Sequence, residues 1–200
     1  MGKQRARTEV FLNLPYDSEF ENLYLAYICA VRAIGMVPRV TLEIPGGARR
    51  LDRIFQLIKS CEFSVHDLCR VQVDRRPPRT PRFNMPFELG LTVAWEKMDR
   101  KHVWFVMEKL NYRLSKSLSD LNGTDPYIHK GTVEGVFREM GNAFVRKKGP
   151  SVSQMWNIYR EVRKQIPGIL RLCGARSAFE ARAFQEISYA ANVAAEKIVG

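Results

Sequence analysis

The stretch Phe83-Asn84-Met85-Pro86-Phe87-Glu88-Leu89-Gly90-Leu91 has the pattern of a helix start. Asn84 is a favourable N-cap and Pro86 suits an opening turn, so we expect Glu88 in the first helical turn. An apolar stripe with helical spacing is expected to pack inward, and it consists of Phe87, Leu91, Ala94, Trp95 and Met98. Glu88 and Gly90 then lie on a different side of the helix.

A buried strand comes before this helix. Residues 63–68 have the sequence Phe-Ser-Val-His-Asp-Leu, and the predicted strand ends at Asp67. A strand that ends in an acid, followed by a helix that opens with a second acid, is a recurrent way to build a site on an α/β sheet. The two segments together indicate the fold class and the place of a functional site.

Strands and helices alternate along the first three quarters of the chain. Strands are predicted at 10–14, 36–41, 63–68, 102–107 and 127–129, and helices at 20–34, 51–61, from 84 and at 133–144. This alternation implies right-handed crossovers and a parallel sheet. We predict an α/β fold with an open parallel sheet of about five strands in the order 2-1-3-4-5. Pro38 places strand 2 at a sheet edge or a strand start.

The last quarter of the chain has a different pattern. After Lys147-Lys148-Gly149-Pro150 the periodicity is only helical, with one amphipathic helix over 155–166 and a second from about Ser177. We therefore divide the chain into an α/β domain (1–148) and a C-terminal helical extension (149–200). The extension could cover the sheet, form a small cap or make a homodimer contact, and the sequence leaves these alternatives open.

The composition limits the class of protein. With 46% hydrophobic and 10% aromatic residues, the chain has the material for a folded core. No apolar run approaches the roughly 18 residues of a membrane helix, and no cleavage site follows the basic N-terminus. We therefore expect a cytoplasmic protein without membrane contact. The four cysteines have no metal-ligand spacing, which favours reduced thiols, and we expect neither a metal nor a cofactor.

The net charge of +11 permits binding to anions. Much of the excess lies in the N-terminal arm and in the proline-rich segment 75–82. A solvated loop is the simplest interpretation of that segment, but its position before the Glu88 helix keeps a phosphate-binding role open for Arg79 and Arg82. Nucleic-acid binding is the least favoured interpretation, because no aromatic residues are interleaved with the basic run.

The strand order predicts where the polar residues meet. Ligands of open parallel sheets bind beyond the carboxyl ends of the strands, at the point where the strand order reverses. That point lies between strands 1 and 3. Strand 1 ends at Asn13 and leads into residues 15–17, strand 3 ends at Asp67, and the following helix brings Glu88. We therefore expect Asn13, Asp67 and Glu88 to face one crevice.

Two carboxylates in one crevice suit chemistry at a sugar. One can act as nucleophile or stabilise an oxocarbenium ion, while the other orients hydroxyls or shuttles a proton. The helix dipole would favour the ionised form of Glu88. The alternative is purely structural, because an acid in a first turn stabilises its helix and an Asp after a strand often caps a turn.

Three segments together resemble the nucleoside 2-deoxyribosyltransferase-like superfamily. They are Asn13-Leu14-Pro15-Tyr16, the strand that ends in Asp67, and Met85 to Ala94 with the pattern Glu-x-Gly-x-x-x-Ala. This superfamily includes nucleotide N-glycosidases and is related to Toll/interleukin-receptor-type NAD-cleaving domains. The resemblance spans roughly residues 8–145 and implies a flavodoxin-like, Rossmann-like domain.

The resemblance also implies roles for individual residues. Glu88 would attack or stabilise the anomeric carbon of an N-glycoside, and Asp67 would contact the sugar hydroxyls or the base. The further substrate-binding residues that we predict are Asn13, Pro15, Tyr16, Asp17, Asn84, Met85 and Gly90. We expect cleavage or transfer of the N-glycosidic bond of a nucleoside, nucleotide or NAD-like ligand. The alternatives are a nucleotide-sensing module without turnover, in stress or phage-defence signalling, and a nucleic-acid-binding protein.

Overall fold

The computed structural model describes residues 8–43, 49–71, 77, 82–145 and 149–200. Within these ranges, five parallel strands form one sheet in the order β2-β1-β3-β4-β5. The strands are β1 (Glu9–Asn13), β2 (Val37–Arg39), β3 (Phe63–Asp67), β4 (Val103–Glu108) and β5 (Tyr127–Ile128). The predicted α/β fold class and strand order are confirmed, and β2, which contains Pro38, is an edge strand.

Helices flank the sheet on both faces. They are α1 (Glu21–Ala33), α2 (Arg50–Ser60), α3 (Asn84–Met98), α4 (Arg113–Ser117), α5 (Val133–Ala143), α6 (Val152–Cys173) and α7 (Ala181–Ile198). The short α4 lies in a segment for which the sequence predicted only a loop, and it forms where Leu114 is buried against Leu68 and Val106. None of the described helices is both long and apolar enough to cross a membrane.

α1 lies in the middle of one helical layer. Ten of its 13 residues are buried, so it is apolar around most of its circumference. Its core cluster joins Val10, Leu12 and Val65 of the sheet with α5, α6 and α7. Of the three arrangements left open by the sequence, the structure has the C-terminal helices packed on the α/β part.

α6 extends seven residues beyond its predicted end at Ile166. Ser151 and Gln154 form a capping box at its start, and Gly174 ends it in the left-handed conformation with φ of 63°. Pro167 lies inside the helix and cannot donate a backbone hydrogen bond. The helix continues past it because Ile166 and Ile169 are both buried in the core.

α3 differs from the prediction at its start and on its buried face. Phe83, not Asn84, is the N-cap, and no side chain caps this end, so Glu88 lies in the second turn and not in the first. The predicted inward stripe is right only in part: Leu91 and Trp95 pack against the apolar cluster of α2, whereas Phe87 and Met98 are exposed. Met85, Glu88, Leu89 and Thr92 are buried instead. The apolar contacts of Met85 and Leu89 with Leu68, Val106 and Leu114 turn this face toward the sheet.

The pleat of β1 and β3 sends neighbouring residues to opposite faces of the sheet. Val10, Leu12 and Val65 pack on the α1 side, whereas Phe11 packs with Ile54 and Ile58 of α2 on the other side. By the same alternation, Asn13 and His66 project toward α2 and α3. Asp67 projects toward α1 and α5. This alternation decides which of the predicted site residues can meet.

Phe184→Ala tests whether the C-terminal helices share one core with the sheet. Phe184 is 1% exposed, and α7 packs directly on α1. We expect the variant to lose about 3–5 kcal/mol in the free energy of unfolding, measured by urea denaturation. The control is Leu172→Ala, at a site that is 76% exposed. It should change stability by less than about 0.5 kcal/mol. Melting of α6 and α7 alone, with the sheet still folded, would contradict a shared core.

Candidate functional site

A cavity of about 140 Å³ lies at the carboxyl ends of β1 and β2, beside the first residues of α2 and α3. This is the end of the sheet at which ligands of open parallel sheets bind. The residues that line it are Asn13, Leu14, Pro15, Tyr16, Thr41, Arg50, Arg82, Asn84, Met85 and Glu88. Seven of the predicted site residues therefore share one cavity, among them Glu88.

Three predicted residues lie outside this cavity. Asp17 caps the short helical turn before α1 by accepting from Phe20 N–H, and it pairs with Arg70 at 3.1 Å. Gly90 is exposed on α3, with open space where a Cβ would lie. Asp67 is fully buried on the opposite face of the sheet. Arg79 lies outside the described residues.

Leu14, Thr41 and Arg50 line the cavity but were not singled out from the sequence. Arg50 is the first residue of α2, and Thr41 follows β2 by two positions. A signal for both was available, because β2 pairs with β1 and their carboxyl ends must lie side by side. The signal for Arg50 is weak, because an arginine at the start of an amphipathic helix is usually a solvated residue.

Glu88 is the acid of the cavity. Its side chain is 7% exposed, and in the part of the chain that the structure describes its carboxyl has no hydrogen-bond partner. Burial raises the pKa of Glu88 to about 7, against an opposing effect of the Arg50 charge. The helix dipole was expected to favour the ionised form. Its influence fades beyond the first turn, and burial outweighs it here.

Asn13 connects β1 to both neighbouring elements. Its Nδ2 donates to the carbonyl oxygen of Met85 in the first turn of α3, at 3.1 Å. The same nitrogen lies 2.9 Å from His66 Nδ1 on β3. Asn13 is 3% exposed, so these contacts fix a buried amide at the cavity wall.

Tyr16 forms another part of the cavity wall. Its hydroxyl is hydrogen-bonded to Thr41 Oγ1 at 3.0 Å, and burial raises its pKa, so the phenol stays neutral. Its ring packs edge-on against Tyr24 of α1 and at a tilt against Phe179, which comes just before α7. The C-terminal part of the chain thus supports the cavity wall.

Arg50 and Arg82 give the cavity its positive charge. Both side chains are exposed, and no ion pair joins either of them to an acid within the described ranges. Free guanidinium groups at the mouth of a cavity suit phosphate or carboxylate oxygens. Arg82 lies next to the Glu88 helix, as predicted from the sequence, and Arg50 adds a second cation.

Asp67 is the centre of a buried polar network between β3, α1 and the loop before α5. Tyr27 Oη donates to its Oδ2 at 2.8 Å, Cys69 N–H donates to its Oδ1 at 2.9 Å, and His129 Nε2 lies 3.2 Å from Oδ2. Burial alone would raise the pKa of Asp67. The contacts with His129 and Cys69 outweigh it and hold the pKa below its usual value.

Asp67, Cys69 and His129 bring an oxygen, a sulfur and a nitrogen within 4.8 Å of one another, which suggests a metal site. The hydrogen bonds argue against it. His129 Nδ1 accepts from Gly131 N–H at 3.0 Å, so the ring proton lies on Nε2, the atom that faces Asp67. A metal at Nε2 would displace this proton and leave the ring with none, because Nδ1 is already an acceptor, and the neutral imidazole that usually binds metals would be lost. We interpret the cluster as a network that holds the end of β3.

A larger groove of about 990 Å³ lies between α6 and α7. Its buried lining residues, such as Ile169 and Ala194, are apolar, and its charged residues are exposed. It therefore lacks a desolvated polar group on which chemistry could be built. The smaller cavity with Glu88 is the candidate site.

Replacing Glu88 with Gln should make the protein more stable at neutral and alkaline pH. Its pKa is about 7 in the folded chain and about 4.3 in the unfolded chain, so folding is penalised as the pH rises between these values. In urea denaturation, we expect no gain near pH 4 and a gain of about 2–4 kcal/mol at pH 8. Exposed Glu62→Gln is the control. A loss of stability at pH 8 would contradict the assigned burial cost.

Asp67→Asn should have the opposite effect. The pKa of Asp67 is lowered by folding, so its stabilisation is complete above the unfolded value of about 3.9 and is lost as the pH falls below it. We expect the variant to be less stable than the wild type by about 1.5–3 kcal/mol at pH 7, with the difference shrinking below about pH 4. Exposed Asp120→Asn should differ by less than about 0.5 kcal/mol. An equal difference at all pH values would count against a charged Asp67.

No family model, curated protein or solved structure matches this chain. The resemblance to the nucleoside 2-deoxyribosyltransferase-like superfamily therefore stays a prediction from motifs. The functional argument depends on the cavity and on the residues that form it.

Proposed function

We propose that the protein cleaves or transfers the N-glycosidic bond of a nucleoside, nucleotide or NAD-like ligand, with Glu88 as the reacting carboxylate. The observation that carries the proposal is the state of Glu88: it is buried in a cavity at the strand ends and has no hydrogen-bond partner among the described residues. Such a carboxyl costs stability, and costs of this kind are concentrated at functional sites. The Glu-x-Gly-x-x-x-Ala motif supports the same chemistry.

The ionised form of Glu88 would act on the anomeric carbon. Its oxygen would form a bond to that carbon while the bond to the base nitrogen breaks, and the electron pair would leave with the base. An anionic nucleobase takes a proton from water, whereas the pyridine of an NAD-like ligand leaves as a neutral molecule and needs none. Attack by a water molecule on the glycosyl ester then releases the sugar and restores Glu88, whereas attack by a second base gives transfer.

Arg50 and Arg82 favour a phosphorylated ligand over a neutral nucleoside. Both residues line the cavity that holds Glu88. The cavity of about 140 Å³ encloses only part of such a ligand, at the scale of its sugar and phosphate.

The proposal is tested by incubating the protein with nucleosides, their 5′-monophosphates and NAD, and measuring the release of free base by chromatography. We expect release to be fastest from phosphorylated members. Glu88→Gln should reduce it by about 10³-fold or more. Because the acting form is ionised, kcat/KM should rise with pH through about 7 and then level off.

Glu62→Gln is the matched control, since Glu62 is exposed and lies outside the cavity. It should keep wild-type rates. The proposal is wrong if no member of the panel releases its base, or if Glu88→Gln releases it as fast as the wild type.

The second candidate function is a nucleotide-binding module without turnover. The position of Asp67 favours it, because the expected second acid lies across the sheet and Glu88 is the only acid among the described residues that line the cavity. A site with one carboxyl lacks a separate proton donor for the leaving base. Saturable binding of a nucleotide by calorimetry, with no release of base, would identify this function.

A further inference from the structure

The side chain of Asn13 has only one free polar atom. Its Nδ2 carries two hydrogens, and two acceptors lie within reach: the Met85 carbonyl oxygen at 3.1 Å and His66 Nδ1 at 2.9 Å. An amide nitrogen can only donate, so His66 Nδ1 must accept, and the ring proton of His66 lies on Nε2. Both amide hydrogens are thereby used inside the protein.

His66 is held permanently in this accepting form. It is fully buried on β3, its ring packs edge-on against Phe11, and its Nε2 is buried without a hydrogen-bond partner. Burial and the neighbouring His102 lower the pKa of His66 to about 3. The imidazole is therefore neutral at physiological pH, and Nδ1 stays available to Asn13.

The orientation of the amide has a consequence for the ligand. Asn13 lines the cavity, and its Oδ1 has no partner in the part of the chain that the structure describes. Asn13 can thus accept a hydrogen bond from a ligand but has no hydrogen left to donate. A sugar hydroxyl is a donor of the required kind.

We propose that His66 is a positioning residue that fixes the Asn13 amide, so that Asn13 Oδ1 accepts a hydrogen bond from a hydroxyl of the ligand's sugar and the site selects sugars that carry this hydroxyl. The inference rests on the proposed function for the nature of the ligand. His66 itself does not touch the ligand. A buried acceptor left unpaired by an analogue without the hydroxyl makes that analogue a poorer ligand.

The test compares a ribonucleotide with its 2′-deoxy and 3′-deoxy analogues. For the wild type we expect kcat/KM to be about ten-fold lower, or lower still, for at least one of the two analogues. In His66→Leu the second amide hydrogen of Asn13 is free to be donated to a ligand. The ratio of kcat/KM for the ribonucleotide to kcat/KM for that analogue should then fall toward one. His66→Gln offers an acceptor oxygen in place of Nδ1 and should restore much of the ratio.

His102→Leu is the matched control. His102 is also a buried histidine on this face, hydrogen-bonded to Ser64 Oγ and to the Cys61 carbonyl oxygen, each at 2.9 Å. Its loss should lower stability without changing the ratio between ligands. A purely structural role of His66 would lower kcat/KM for all three nucleotides alike, so an unchanged ratio in His66→Leu would overturn the inference.

Calorimetric binding of the same three nucleotides to Glu88→Gln separates this inference from the proposed function. If no base is released by the wild type but the affinities differ by the expected ratio, the proposed reaction is wrong and the role of Asn13 stands. If base is released and both analogues react as well as the ribonucleotide, the role of Asn13 is wrong and the reaction stands. If the wild type releases no base and Glu88→Gln binds none of the three nucleotides, both are wrong.

Discussion

A buried carboxylate at the end of β3 fixes the carboxyl end of the sheet, on which the site depends. Asp67 accepts from Tyr27 of α1 and from the backbone of Cys69, and it faces His129 before α5. A buried charge is tolerated only where donors surround it, so these elements must hold one arrangement. Arg113 adds to this by donating to the carbonyl oxygens of Cys69 and Val71. The strand end from which His66 reaches Asn13 is thereby held in place.

The cavity also depends on residues that are far away in sequence. Phe179 packs against Tyr16 and Tyr24, and α7 packs on α1 and near the turn that carries Thr41. The cavity wall is therefore shaped by the same apolar core that joins the C-terminal helices to the sheet. A sequence boundary near residue 148 separates two patterns of periodicity, but the hydrophobic core continues across it.

The sheet could be predicted because its signals are local. Alternating segments, the turn residues and Pro38 indicated five parallel strands, and the strand order brought Asn13, Tyr16 and Glu88 to one end. The burial of Glu88 could not be predicted. It depends on which face of α3 turns toward the sheet, and the apolar contacts of Met85 and Leu89 decide this. The side on which Asp67 lies depends on the phase of the pleat relative to α1, which is a tertiary property. Arg50 was overlooked because a helix-start arginine has no distinctive local pattern.

His66 and Asp67 are neighbours in the chain, yet their side chains lie on opposite faces of the sheet. One serves the amide at the cavity, and the other anchors α1 and the loop before α5. The two side chains share no contact, so they affect each other only through the position of the strand end that both occupy. This arrangement makes β3 intolerant of insertion or deletion. A shift of its register by one residue would exchange the side chains on the two faces of the sheet. Single side chains on β3 can therefore be substituted more easily than the register of the strand can be shifted.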